Sequence, residues 1–197
     1  NVMKQIGTDI VLLANNHCYD YGPESLYDTL TTLEEAKIPY VGAGRNLTSA
    51  IQPYYFIYDG ITIAYVAASQ AEKFKLTPQA TETAPGILRC YDMSLFLDVI
   101  RNSAQVADIV IANIHWGTEG SNQLEPYQQQ LAYAMIDAGA DAIVGSHPHV
   151  LQGMEYYKDK PIMYSLGNYW FNQATMYTCL YELEVDTATK SISKVKF

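Results

Sequence analysis

Four histidines are the residues of this chain best suited to chemistry, and each follows an apolar stretch. They lie in three polar segments, 15–18, 115–119 and 145–149, each preceded by an aspartate and a short apolar run. Such runs are typical of strands buried in a parallel sheet. Because ligands bind at the carboxyl ends of these strands, we expect the three segments to share one rim. A set of unrelated structural histidines would have no reason to occur only there.

The third segment places His147 and His149 on either side of Pro148. In extended backbone, residues i and i+2 point to the same side, and the proline favours this conformation at His147. The two imidazoles could therefore close on one metal ion. A His-X-His pair is a weak signal by itself, because most loop histidines are hydrogen-bonded or solvated instead.

A divalent ion needs several convergent nitrogen and oxygen donors. We predict that His115, His147, His149 and the amide oxygen of Asn16 provide them. Glu119 lies four residues after His115. It could bind the metal, orient an imidazole, carry a proton, or be an ordinary solvated carboxylate.

His17 could act apart from the metal as the acid that protonates a leaving oxygen, because imidazole titrates near working pH. Cys18 and His17 together resemble a catalytic cysteine–histidine dyad. However, the side chains of adjacent residues in an extended strand point to opposite sides, so Cys18 is not expected to act as a nucleophile. Trp116, next to His115, is expected to pack in the core rather than to stack on a substrate.

Composition narrows the classes of function. A net charge of −9 and a pI near 4.8 argue against binding of duplex nucleic acid or of an anionic membrane surface. An anionic substrate stays possible, because a bound metal supplies local positive charge. Three scattered cysteines are too few for a disulfide framework or a cysteine-rich zinc site. The length fits one domain, residues 1–197.

The pattern of elements predicts an α/β fold with a mixed sheet. Helices are expected over 22–37, 95–104 and 126–138, with Pro23 at the first helical position and Gly139 as a C-terminal stop. Antiparallel hairpins are expected around Asp59-Gly60, within 151–164 and within 177–197. The pattern predicts a strand over 9–14 and a plain turn over 41–44. It predicts a long loop over 69–90, which could form part of the rim or a lid.

Five motifs occur in order between about residues 9 and 172: Leu13–Gly22, His115–Glu119, Ala138–Asp141, Gly145–His149 and Tyr164–Asn168. Taken together, they resemble the CapA-type poly-γ-glutamate capsule biosynthesis family. This family looks like a branch of the calcineurin-like metallophosphatases. The resemblance therefore implies a sandwich of mixed β-sheets flanked by helices.

The resemblance also implies roles for single residues. Asn16 matches the amide ligand, His17 the proton-transfer histidine, His115, His147 and His149 the histidine ligands, and Glu119 the glutamate of a His-Trp-Gly-X-Glu motif. The implied cofactor is a divalent metal, Mn, Fe or Zn, acting as Lewis acid and source of hydroxide in hydrolysis of an ester or related bond.

Metallophosphatases take further acidic ligands from strands that precede the Asn-Asn-His segment. We therefore expect the domain to be N-terminally incomplete. By resemblance, the protein works at the outer face of the bacterial membrane, held by an anchor outside this sequence. Two functions remain open: a metal-dependent hydrolase in making a cell-surface polymer, or a non-catalytic accessory that binds or helps export an anionic polymer such as poly-γ-glutamate.

Overall fold

The computed structural model describes residues 2–71, 77–169 and 177–197. The helices are α1 (Val2–Gln5), α2 (Gly22–Ala36), α3 (Leu47–Ala50), α4 (Ser94–Ala104) and α5 (Pro126–Asp137). The strands are β1 (Val11–Leu12), β2 (Tyr40–Val41), β3 (Ala43–Gly44), β4 (Tyr54–Tyr58), β5 (Ile61–Ser69), β6 (Gly86–Ile87), β7 (Ile109–His115), β8 (Ala142–Ser146), β9 (Met154–Tyr157), β10 (Lys160–Met163), β11 (Glu182–Asp186) and β12 (Ser191–Lys196). None of the helices in these ranges is both long and apolar enough to cross a membrane.

A six-stranded mixed sheet in the order β4-β5-β7-β8-β10-β9 forms the centre of the fold. Strands β5, β7, β8 and β10 are parallel, and the two edge strands are antiparallel to their neighbours. Both edges arise from predicted hairpins. Asp59 and Gly60 have positive φ angles of 48° and 76°, as a tight hairpin turn requires. The predicted mixed sheet is confirmed.

Strand β7 shows how the sheet separates core from site. On one face of the strand, Val110, Ala112 and Ile114 pack in the large core together with α4 and α5. On the opposite face Ile109 and Ile111 are buried against the β11–β12 hairpin. Asn113 and His115 continue that second face toward the carboxyl end of the strand, since side chains alternate along a strand. The second face thus changes from apolar to polar along β7.

Two of the aspartates that precede the apolar runs fix the amino ends of the strands. Asp108 accepts a hydrogen bond from the Thr62 amide at 2.9 Å, and Asp141 accepts one from the Val110 amide at 2.9 Å. Each carboxylate therefore ties the start of its strand to the neighbouring strand. Their role is to hold the sheet together, at the end opposite the histidines.

Strand β1 is shorter than predicted and lies outside the central sheet. It pairs in parallel with β2, which follows the predicted helix α2. Gly42, with a φ of 86°, separates β2 from β3, so residues 41–44 are two short strands and not a plain turn. A Cβ at Gly42 would lie 2.6 Å from the Cβ of Ala14. This close approach brings the segment that carries Asn16 against the sheet.

Part of the predicted loop over 69–90 is packed against the rest of the protein. Residues 72–76 lie outside the described residues. From Thr77 onward the segment packs into the protein: β6 pairs with β3, and Leu88 and Cys90 are buried. The other predicted helices and hairpins are confirmed with small changes in their bounds.

We predict that Gly145→Ala destabilises the fold, because a Cβ there would lie 2.0 Å from the Tyr164 carbonyl oxygen. The expected loss is about 3 kcal/mol in the free energy of unfolding, or a melting temperature lower by about 6–12 °C. Thermal and denaturant unfolding measure it. Gly153→Ala is the matched control, because nothing lies within 4 Å of its added Cβ. Equal stability of the two variants would contradict the prediction.

Candidate functional site

A cavity of about 290 Å³ opens where β5, β7 and β8 end, next to β1. Its lining combines imidazoles, side-chain amides and a hydroxyl with small or aliphatic residues. The residues are Leu12, Ala14, Asn15, Asn16, His17, Ala67, Ala68, Asn113, Ile114, His115, Ser146 and His149. Four of the six predicted site residues are among them. Of the described residues that line the cavity, none is an aspartate, glutamate, lysine or arginine.

The contact between Asn16 and His115 joins two segments that are 99 residues apart. Asn16 Oδ1 lies 2.9 Å from His115 Nε2, and the other ring nitrogen, Nδ1, lies 3.0 Å from Ser146 Oγ. Asn16 is almost fully buried, and its backbone carbonyl accepts a hydrogen bond of 2.6 Å from Thr77. Asn16 is therefore held in place through both its side chain and its backbone.

The His115 ring is neutral at physiological pH. Burial, followed by repulsion from the neighbouring histidines, lowers its pKa from 6.5 to about 3. A neutral imidazole has one N–H and one lone pair, and the Ser146 hydroxyl can either donate to Nδ1 or accept from it. If Ser146 donates to Nδ1, then Nε2 of His115 carries the hydrogen and donates it to Asn16. If Ser146 accepts from Nδ1, then Nε2 has a lone pair that can bind a ligand.

His147 and His149 come close together, but not through the extended backbone that the sequence predicts. Their φ angles are 100° and 63°, so both have left-handed backbone, and their ring centroids are 6.3 Å apart. Pro148 disfavours the right-handed helical region at His147, but it does not by itself impose an extended backbone there. The strained backbone that results costs about 1–3 kcal/mol per residue and is often found at functional sites.

The two rings have different surroundings. His147 is buried, and its ring centroid lies 4.7 Å from that of His115. His149 lines the cavity, and its Nδ1 lies 2.7 Å from Asn168 Oδ1. Since an amide oxygen only accepts, Nδ1 carries the hydrogen and Nε2 has the lone pair. His115, His147 and His149 form one group of rings.

His17 lies at the mouth of the cavity and is half exposed. Its Nδ1 is 2.6 Å from a carboxylate oxygen of Asp20. The carboxylate fixes the tautomer that carries hydrogen on Nδ1, so Nε2 is the atom that can exchange a proton with a ligand. Burial and the charge of Asp20 raise the pKa of Cys18 to about 12. The thiol stays protonated, which disfavours a cysteine nucleophile. Residues 16–20 form a turn, so the extended backbone on which the expectation for Cys18 was based is not present.

Glu119 is exposed in the loop after β7 and is not part of the cavity lining. The next residue, Gly120, donates a backbone hydrogen bond of 2.8 Å to Pro148 O, so this loop docks on the loop that carries His147 and His149. The role of Glu119 stays a prediction. Trp116 is fully buried and donates to Tyr164 O at 2.9 Å, which confirms that it packs in the core.

Three residues of the site were missed from the sequence. Asp20 follows His17 by three residues, and Ser146 is the register partner of His115. Asn113 lies two residues before His115, on the same face of β7, and is 6% exposed. The period-2 alternation of strands could have identified Asn113. The partnership of Ser146 needed the pairing of β7 with β8, which spacing alone does not give.

Asn16 and His115 have the spacing that a divalent ion requires of two neighbouring ligands. Two ligands at right angles, each about 2.1 Å from a metal, are separated by about 3 Å, and Asn16 Oδ1 and His115 Nε2 are 2.9 Å apart. Asn16 Nδ2 is buried with no hydrogen-bond partner among the described residues, so this N–H group can donate to an acceptor atom of a ligand, whereas a metal would bind Oδ1. Within the same residues, no group of three or more His, Cys, Asp or Glu is arranged to hold a metal. Chemically, imidazole nitrogens and an amide oxygen suit a borderline ion.

Comparison with known proteins assigns the family. The family described as "Bacterial capsule synthesis protein PGA_cap" matches residues 1–173. The chain belongs to this family. It is 40% identical over 174 residues to the capsule biosynthesis protein CapA of Bacillus anthracis, covering 87% of this chain and 42% of that protein. It is 39% identical over 173 residues to the PGA biosynthesis protein CapA of Bacillus subtilis, covering 87% and 45%. The chain spans less than half the length of these relatives.

Solved structures confirm the metallophosphatase-like fold of this PGA_cap family member. A Staphylococcus aureus protein described as a putative 5'-nucleotidase superimposes with a TM-score of 0.59 and 20% identity, covering 84% of this chain and 33% of that one. The NAD nucleotidase of Haemophilus influenzae gives a TM-score of 0.50 and 19% identity, covering 84% and 28%. The family and the fold expected from the motifs are thus confirmed.

We predict that His115 stays neutral well below pH 6.5 in the metal-free protein, because burial disfavours its charged form. The unfolded chain then takes up this proton first, so His115 makes the folded state lose stability as the pH falls from about 6.5 toward 3. Nitrogen-15 NMR of the imidazoles measures the titration, and urea unfolding measures the stability. In His115→Gln this part of the acid dependence is absent. Titration of His115 near pH 6.5 would contradict the prediction.

Proposed function

We propose that this chain carries a metal-dependent hydrolase site that acts in the synthesis of a poly-γ-glutamate capsule. The observation that carries the proposal is the convergence of Asn16 Oδ1 and His115 Nε2, 2.9 Å apart, on a cavity that His17 and His149 also line. These donors come from three segments of the chain. Their meeting at one cavity is what a catalytic centre needs, and a set of separate structural histidines does not need it.

The biological setting in this proposal comes from the relatives. Two Bacillus proteins are named for capsule or PGA biosynthesis, and a Mycobacterium tuberculosis relative with 32% identity is described as a probable polyglutamine synthesis accessory protein. We extend this role to the present chain, with the polymer or its precursor as partner and the outer face of the bacterial membrane as the place of action. The nucleotidase structures support the fold and give no substrate.

In this proposal Asn16, His115, His147 and His149 would hold the metal. When bound, the ion would polarise the bond to be cleaved and activate a water molecule. His17 donates a proton from Nε2 to the leaving atom, because its Nδ1 hydrogen bond to Asp20 orients the ring and leaves Nε2 as the nitrogen that faces a ligand. The small residues Ala14, Ala67 and Ala68 in the lining leave room for the reacting group.

We predict that Asn16→Ala lowers affinity for Mn²⁺, Fe²⁺ or Zn²⁺ by at least about tenfold, because it removes the amide donor nearest His115. Equilibrium dialysis followed by elemental analysis measures the bound ion. Asn122→Ala, which removes an exposed amide from the loop after β7, is the matched control. A wild-type protein that binds none of the three ions, or equal affinity in both variants, would end the metal proposal.

We predict that Asp20→Asn lowers kcat of any hydrolysis by about 100-fold, with KM and bound metal unchanged, because an amide can also donate to Nδ1 and so no longer fixes the tautomer and orientation of the His17 ring. The reaction is followed with poly-γ-glutamate and with chromogenic phosphate esters. The exposed Asp28 on α2 gives the control, Asp28→Asn. A loss of metal together with activity would assign Asp20 a structural role instead.

A second candidate is a non-catalytic accessory that binds an anionic polymer. The absence of acidic side chains from the described cavity lining favours it, because carboxylates there would repel such a ligand. Polymer binding that persists with a chelator and in a His147→Ala, His149→Ala double variant would support this role. Binding that is lost in both cases would favour the hydrolase.

A further inference from the structure

Asn113 is a polar side chain in an unusual place. It lies within β7, a strand whose other residues before His115 are all apolar, and it is 6% exposed. Asn113 is one of the residues that line the cavity. A buried amide costs free energy unless its donor and acceptor groups find partners, so the partners of Asn113 determine what it can do.

The orientation of the Asn113 amide is fixed by its neighbour. Nδ2 donates to the backbone carbonyl of Val66 at 3.3 Å, and this is its one side-chain hydrogen bond within the described residues. A carbonyl only accepts, so the nitrogen must be the atom that faces Val66. Within the described residues no donor faces Oδ1, and Asn113 is one of the residues that line the cavity.

A fixed acceptor in the cavity selects ligands by their hydrogen-bond donors. A phosphate dianion offers acceptor oxygens alone, so it has no hydrogen for Oδ1 to accept. A secondary amide offers an N–H that Oδ1 can accept. The ester that replaces this N–H with oxygen leaves Oδ1 unsatisfied.

We propose that Asn113 makes this cavity selective for an amide, with Oδ1 accepting the N–H of a γ-glutamyl linkage in preference to an ester or a phosphate. The cavity of about 290 Å³ is at the small end of ligand sites, so it takes one linkage and not a long stretch of polymer. This inference rests on the proposed function for the choice of γ-glutamyl compounds. It concerns recognition, and it holds whether or not hydrolysis follows.

The test compares two ligands in two proteins. Calorimetry on the intact chain with chelator present measures binding of γ-glutamylglutamate and of its analogue with oxygen in place of the amide N–H. The wild type should bind the amide about tenfold more tightly than the ester, and Asn113→Leu should bind the two equally. Asn102→Leu, which removes an exposed amide from α4, should keep the wild-type ratio. If Asn113→Leu does not fold, Asn113→Ser, whose hydroxyl is too short to reach the same position, takes its place.

Other outcomes overturn the proposal. An equal affinity of the wild type for amide and ester, an unchanged ratio in Asn113→Leu, or no binding of either ligand each contradict it. Competition by inorganic phosphate at similar concentration would show that the cavity also binds groups that have no N–H to donate. Loss of bound Mn²⁺ in Asn113→Leu would make Asn113 a metal ligand instead. Absence of hydrolysis with the amide preference intact would refute the proposed hydrolase and leave this inference standing.

Discussion

The parallel register of β5, β7 and β8 is the constraint on which the site depends. Ser69, His115 and Ser146 are register partners across the three strands, so they lie at one level of the sheet. At the other end, Asp108 and Asp141 accept backbone hydrogen bonds from neighbouring strands and fix that register. A slip of one residue would turn the His115 ring to the opposite face, into the core beneath the helices.

Close packing behind the site holds its strained loop. Gly145 leaves room for the Tyr164 carbonyl, which also accepts the indole N–H of Trp116. Beyond the histidines, Ser165 donates to the Val150 carbonyl at 2.8 Å. These contacts lie on both sides of the 147–149 segment and compensate for its positive φ angles, because a rigid surrounding structure can hold a backbone that it would otherwise not adopt. The packing of the core therefore also determines where the imidazoles lie.

Much of this arrangement follows from sequence pattern. The apolar runs, the Asp59-Gly60 turn and the Pro23 helix start are local signals, and each produced the expected element. The pairing of β1 with β2 outside the central sheet could not be derived, because the run from 9 to 14 looks like the other buried strands. The predicted extended backbone at His147 is wrong, because a proline disfavours helix at the residue before it without imposing an extended chain. Neighbours brought together by pairing, such as Ser146 beside His115, have no local signature at all.

The charge state of the site follows from its depth and explains how it can discriminate ligands. With no acidic or basic side chain in the described lining apart from the imidazoles, nothing there compensates a charged ring at His115, and burial keeps that ring neutral. Since the described lining holds no carboxylate, ammonium or guanidinium group, it has little fixed charge by which to select ligands, although the chain as a whole is acidic. It selects by the direction of lone pairs and N–H groups: Asn168 orients His149, Ser146 orients His115, and Val66 orients Asn113. Each functional group is directed by a partner on a strand or a strand-end loop, so the sheet that positions the residues also sets what they recognise.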